Sequence, residues 1–315
     1  MNLKSQRRLA FTAMVNLNAD GYQPDFKFWV YTVDTDGNNL KRIDQLSENE
    51  HPASNSGHPK WCSDGEHLDY TITRYLENEK RYIPTSYRVC LADCTELQLP
   101  IEAETQPSGI NYFWNSPNGQ HAYLLWGAGE EKSGFAIAKP DGSEENVYTE
   151  KLYDVDAVGW LPDSTAIVLQ ASGDPHATNA APRDLWIFEM DSKEVVRLLE
   201  GSTFEPANAW SPDLQMLVTT GAAKTREYGD GFYLVNRKGT FCKHLVDHQD
   251  SSGEVRTSSP SWSPDGKYFA LSSLLSDSTF DFSLLIFSRE GELLSTFCWP
   301  ELHFARIDEI TWSPA

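Results

Sequence analysis

The sequence predicts an all-β fold, a six-bladed β-propeller of four-stranded antiparallel blades. Three observations carry that expectation. A short phrase, Trp-Ser-Pro-Asp-Gly or a near copy, opens at Trp61, Asn115, Trp160, Trp210, Trp262 and Trp312, a spacing of about fifty residues that marks one supersecondary unit per repeat. A second hairpin accompanies every repeat. The chain also ends on the opening of the phrase, "TWSPA", and the strand that would continue it stands at the other end. Two packed sheets would account for the strands but not for the period.

Each phrase has a physical reading. In Ser263-Pro264-Asp265-Gly266, serine opens a type I turn, proline presets φ at the second position and glycine closes the turn. The apolar run Tyr268 to Leu271 reads as a strand buried on both faces. Trp262 ends the preceding strand and offers a large ring to pack between sheets. The phrase is therefore strand, tight turn, strand.

The outgoing strands of the second hairpins are FKFWVYTV, TSYRVCLA, SGFAIAK, DLWIFEM, GFYLVN and FSLLIFS. Their turns fall at Asp36-Gly37, Asp93-Cys94, Asp141-Gly142, Asp191-Ser192, Lys238-Gly239 and Glu290-Gly291. Asp-Gly between apolar runs is a strong hairpin signal. Returning strands such as LKRID, ELQLP, VVRLL and LLSTF are more polar, as an outer edge that avoids aggregation requires. Amphipathic helical periodicity is unconvincing throughout. Four antiparallel strands repeated radially make a propeller.

The middle strand Leu9 to Val15 has no tryptophan strand before it, and the tryptophan strand Ile307 to Trp312 has no middle strand after it. The two ends complete one another, closing the ring with three N-terminal strands and one C-terminal strand. The expectation is one domain over 1–315: blade 1 from 7–46 with 306–315, then blades at 57–100, 109–149, 154–199, 204–246 and 256–297.

The 26 basic and 46 acidic residues give a net charge of −20, which argues against binding to nucleic acid or to anionic membrane surfaces. No apolar run approaches the ~18 residues of a spanning helix, so no membrane insertion is expected. The opening MNLKSQRRLAF lacks an apolar stretch of signal-peptide length. This predicts a cytoplasmic protein, or a periplasmic one if a leader has been removed. The five cysteines, Cys62, Cys90, Cys94, Cys242 and Cys298, form no CxxC pair and read as free thiols.

These phrases resemble the PD40 repeats of TolB-like propellers. Trp262 to Ala270 matches best, and Trp210 to Pro212 and Trp312 to Pro314 match the opening of the motif. Departures are Asn115 in the tryptophan register with Trp114 beside it, Ser63 for proline, and Ser164 and Leu214 for glycine. The resemblance covers nearly the whole chain and concerns fold, because folds host many activities. It implies one of three uses: binding of a protein partner, gating of a peptidase domain, or metal-dependent lyase chemistry of the oligogalacturonate lyase kind. The second needs an α/β-hydrolase domain and its G-x-S-x-G elbow, and the sequence has neither.

The leading expectation is a monomeric scaffold that binds a protein or peptide on its long-loop face and central funnel. Long loops on a rigid scaffold tend to carry function. Tyr22, Phe26, Tyr75, Tyr82 and Tyr228 put aromatic anchors in those loops. Asp156, Glu205 and Asp308 fall near the starts of inner strands, where they would line the funnel. The alternative is a metal-dependent lyase or hydrolase acting on a small anionic sugar or a peptide. In a closed ring His51, His58, His248 and His303 all lie in crossings toward the funnel and would meet on a divalent metal. No tight ligand spacing supports that set, and no cofactor is otherwise expected. GAGEEKSG lacks phosphate-loop spacing, and DTDGNN has Asn39 where a calcium loop requires glycine.

Overall fold

The computed structural model describes residues 7–18, 25–99, 113–115, 121–125, 134–139, 143–148, 152–161, 163–172, 183–202, 209–222, 230–247, 260–274 and 282–314. Within them the strands make six four-stranded sheets. The first takes β1 (Arg8–Asn16), β2 (Phe26–Asp34) and β3 (Lys41–Arg42) from the beginning of the chain. The second is β4 (Asn55–Trp61), β5 (His67–Leu76), β6 (Arg81–Cys90) and β7 (Glu96–Gln98). Then come β8 (Phe113–Asn115), β9 (His121–Leu125), β10 (Gly134–Ala138) and β11 (Asn146–Tyr148), followed by β12 (Tyr153–Trp160), β13 (Ala166–Ser172), β14 (Arg183–Glu189) and β15 (Val195–Ser202). The last two are β16 (Ala209–Trp210), β17 (Met216–Ala222), β18 (Asp230–Asn236) and β19 (Phe241–Asp247), and β20 (Ser261–Trp262), β21 (Tyr268–Leu274), β22 (Phe282–Ser288) and β23 (Leu293–Phe297). The final strand, β24 (Phe304–Trp312), returns to the first sheet, whose order is β24-β1-β2-β3.

The chain divides into two compact units. One comprises Met1–Ala103, Ala207–Asp213 and His248–Ala315, the other Glu104–Pro206 and Leu214–Asp247. In the first unit, β24 pairs antiparallel with β1, with Leu9 opposite Trp312 and Ala13 opposite Ile307. The expected pairing of the chain's two ends is therefore present. It builds the core as well: Phe11 of β1 stacks on Tyr31 of β2 at 5.9 Å and meets Phe304 of β24 edge-on at 6.2 Å. The core of the second unit gathers Phe135, Leu152, Ile167, Leu169 and Phe188, with Phe135 and Phe188 edge-to-face at 5.2 Å.

Burial follows the sequence pattern. Every residue of β13 is buried, as are the first six of β22, the signature of strands covered on both faces. The outer strands β7, β11 and β23 are largely exposed.

The turn phrase closes as its residues dictate. The Ser263 amide donates to the Tyr268 carbonyl at 2.9 Å, the Tyr268 amide donates to Ser263 Oγ at 3.0 Å, and Gly266 turns at φ 65. At the chain's end the Ser313 amide donates to the Arg8 carbonyl at 2.9 Å, and the Arg8 amide donates to Ser313 Oγ at 3.0 Å. Arg8 thus stands where Tyr268 stands, and the beginning of the chain supplies the missing half of the last phrase. Ser164 and Leu214, at glycine's place, take φ 62 and φ 58 all the same.

In the second hairpins, Gly37, Cys94, Gly239 and Gly291 have positive φ as expected of the turn residue. At Asp191-Ser192 the left-handed residue is instead Lys193, φ 58, whose amide returns to the Glu189 carbonyl at 2.9 Å. That turn matches the one at Cys94, whose amide returns to the Cys90 carbonyl at 2.8 Å. Among the described residues no helix is long and apolar enough to cross a membrane.

Candidate interaction site

The β5–β6 hairpin builds an exposed aromatic feature in the first unit. Sequence reading places Tyr75 and Tyr82 in a long loop. In the structure β5 runs to Leu76 and β6 starts at Arg81, so only Glu77 to Lys80 turn the chain. The hairpin is extended because Tyr, Thr and Ile favour a pleated surface and because its register places aromatic residues directly opposite one another. Tyr75 faces Tyr82 across the ladder. Their rings lie 5.0 Å apart, and the His51 ring packs against Tyr75 at 4.7 Å.

The base of this three-ring step is fixed from below. Lys27, only 1% exposed, donates from Nζ to the Glu50 carbonyl at 2.8 Å and the His51 carbonyl at 3.1 Å. The Ala53 amide donates to His51 Nδ1 at 3.1 Å, which sets the imidazole's orientation. The Tyr75 amide donates to Ser54 Oγ at 3.0 Å. Arg74 ties the flank by donating to the Tyr87 hydroxyl at 3.1 Å and pairing with Glu50 at 3.4 Å. Tyr82 stands clear at 57% exposure. The arrangement offers rigid aromatic area with polar edges.

A second polar cluster lies on β24 and β4. Each of these strands carries a bulge three residues before its tryptophan, with Glu309 at φ 50 and His58 at φ 58. The Glu309 carboxylate accepts from Thr12 Oγ1 at 2.5 Å and from the His58 amide at 2.7 Å, and it pairs with His58 Nδ1 at 2.5 Å. Gly57 permits that approach, since a Cβ there would come within 3.0 Å of Glu309 Oε2. Sequence reasoning missed Glu309. The one available signal was its place three residues before Trp312, matching His58 before Trp61.

Of the residues singled out from sequence, Tyr75, Tyr82 and His51 come together. Phe26 begins β2 opposite Asn16 and is half-buried. Asp308 is half-buried and held by Arg306 at 2.6 Å; burial raises its carboxyl above the usual range while the guanidinium opposes that rise. His303 is exposed at φ 47, where a short 3-10 turn ends. Asp156 lies on β12. Tyr22, Glu205, Tyr228 and His248 lie outside the described residues. His51 and His58 are engaged by different partners, and among the described residues no three His, Cys, Asp or Glu side chains gather as metal ligands would.

No protein-family model matches the sequence, and no curated protein matches it either. Solved structures do. TolB from Acinetobacter baumannii superposes with a TM-score of 0.52 at 17% identity, over 98% of this chain and 67% of that one. A candidate TolB from Agrobacterium tumefaciens aligns with a TM-score of 0.43 at 16% identity, over 98% and 99% of the two chains. The propeller domain of the trilobed protease from Pyrococcus furiosus aligns with a TM-score of 0.40 at 14% identity, over 77% and 71%. The fold is that of a TolB-like β-propeller.

Proposed function

We propose that the chain is a binding scaffold: a single, closed, six-bladed propeller of PD40-type repeats that takes a protein or peptide on the surface carrying His51, Tyr75 and Tyr82. The six four-stranded sheets and the β24–β1 pairing support six blades and a closed ring. The exposed Tyr82 ring beside Tyr75 carries the binding reading. Tyrosine gives large contact area at small conformational cost, and such rings dominate interface energetics. Here the underlying loop is already clamped by Lys27, so little ordering would be lost on association.

The experiment compares affinity capture from the native organism using wild type and Tyr82→Ala. A partner retained by wild type and lost by the variant, with thermal midpoints unchanged, supports the reading. Identical retained sets remove this surface from it. A loss of affinity of about tenfold or more is expected for a central tyrosine.

A further inference from the structure

We propose that Lys41 and Cys94 form a redox-switchable covalent bridge, a single oxygen atom linking lysine Nζ to cysteine Sγ. Lys41 Nζ lies 2.6 Å from Cys94 Sγ. That is at the short limit even for a nitrogen–oxygen hydrogen bond, and sulfur is the larger atom. It is close to the span of one bridging oxygen. Both side chains are presented by fixed backbone. Lys41 is held in β3 opposite Thr32. Cys94 occupies the left-handed position of its hairpin turn, φ 59, where its amide returns to Cys90 and Asp93 Oδ1 accepts from the Thr95 amide at 2.9 Å. Among the described residues no carboxylate pairs with Lys41. Lys41 is exposed and Cys94 partly so, which gives an oxidant access.

The other environments differ. The Cys62 thiol is pushed up by burial and by the Asp69 carboxylate, 3.5 Å from its sulfur, which disfavours the reactive thiolate. Only Cys94 has an amine within bonding reach among the described thiols.

With hydrogen peroxide as oxidant the chemistry balances. One equivalent converts the thiol to sulfenic acid and releases water. A second converts the deprotonated amine to a hydroxylamine, again releasing water. The hydroxylamine oxygen then attacks the sulfenic sulfur, forming the O–S bond and expelling a third water. Sulfur and nitrogen each give up two electrons, and the two peroxides accept four. Excess dithiol returns the amine, the thiol and water. The bridge would tie the outer strand of the first sheet to the outer turn of the second.

The test treats the full chain with hydrogen peroxide and maps it by mass spectrometry beside Lys41→Arg and Cys94→Ser. The expected product is heavier by one oxygen and lighter by two hydrogens. It joins the peptides holding Lys41 and Cys94, resists trypsin after Lys41, disappears with dithiothreitol and is lost in both variants. Its formation raises the thermal midpoint, and reduction reverses the rise. Oxygen added to Cys94 without a link to Lys41 overturns the proposal. So does a Cys90–Cys94 disulfide, seen as loss of two hydrogens alone, or an unchanged Cys94.

Discussion

Trp61 donates its indole N–H to the carbonyl of Thr311, 250 residues later in the chain, at 3.3 Å. The same bond recurs from Trp312 to Ser261 at 2.9 Å and from Trp262 to Ala209 at 2.8 Å. In each case the acceptor is the residue just before the tryptophan of the preceding repeat. The indole thus carries the register of one inner strand to the next, and the Trp61 bond does so across the pairing of the two chain ends. Trp312→Phe keeps a ring but leaves the Ser261 carbonyl without that donor. It should cost about 1 kcal/mol, read as a lowered denaturant midpoint. Deleting Ile307 to Ala315 strips β1 of its inner neighbour and should abolish a cooperative thermal transition, because an open apolar strand edge also invites aggregation. An unchanged transition would refute the structural role of this strand.

Acid sensitivity should concentrate at Asp265. Arg7 grips it with two bonds of 2.8 Å. That guanidinium, aided by Ser263 and the Lys267 amide, holds the carboxyl well below the usual carboxylate range against the opposing effect of burial. A carboxyl whose folded value lies below its unfolded value stabilises the fold above the unfolded value, and that stability is lost as pH falls. The window therefore opens below about pH 4, the ordinary aspartate range. Arg7→Ala should cost about 1 kcal/mol at neutral pH, given the bidentate geometry and partial exposure. Its deficit should shrink in acid, followed as denaturant midpoints from pH 7 to about pH 3.

What was legible in the sequence was local or countable. Proline, aspartate and glycine announce the turn phrase because each acts on its own backbone, and the β24–β1 pairing follows from counting strands. What was not legible depends on register between strands. The bulges that aim Glu309 at His58 arise from one extra residue in β24 and in β4, and no residue type marks them. The β5–β6 hairpin looked like a loop because Glu77-Asn78-Glu79-Lys80 is polar and Pro84 reads as a breaker. Pro84 is instead accommodated opposite Thr73, and the aromatic step it supports became visible only with the pairing of Tyr75 and Tyr82.

Substitutions to glycine at the two irregular turns should differ in cost. Ser164 holds φ 62 with a Cβ, a strain of about 1 kcal/mol that glycine removes. Glycine also enlarges the unfolded ensemble, and Ser164 is itself buried, 7% exposed, so the relief is offset and Ser164→Gly should change stability by no more than about 1 kcal/mol. Leu214 holds φ 58 but is only 6% exposed. Burial of a leucine contributes roughly 1.5–3 kcal/mol, more than the strain relieved, so Leu214→Gly should lower the thermal midpoint by clearly more than Ser164→Gly.

At Glu309 the same contrast separates strain from hydrogen bonding. Glu309→Ala removes the acceptor for Thr12 Oγ1 and the His58 amide and keeps the Cβ at φ 50. Thr12 is only 4% exposed, so losing its partner should cost about 1–2 kcal/mol. Glu309→Gly loses the same bonds but releases the left-handed strain, so after glycine's larger unfolded-state entropy it should be milder than alanine by about 0.5 kcal/mol. The measurement is the pair of denaturant midpoints against wild type. If alanine and glycine prove equally destabilising, the left-handed backbone at Glu309 carries no net strain, and the loss is that of the carboxylate's hydrogen bonds alone.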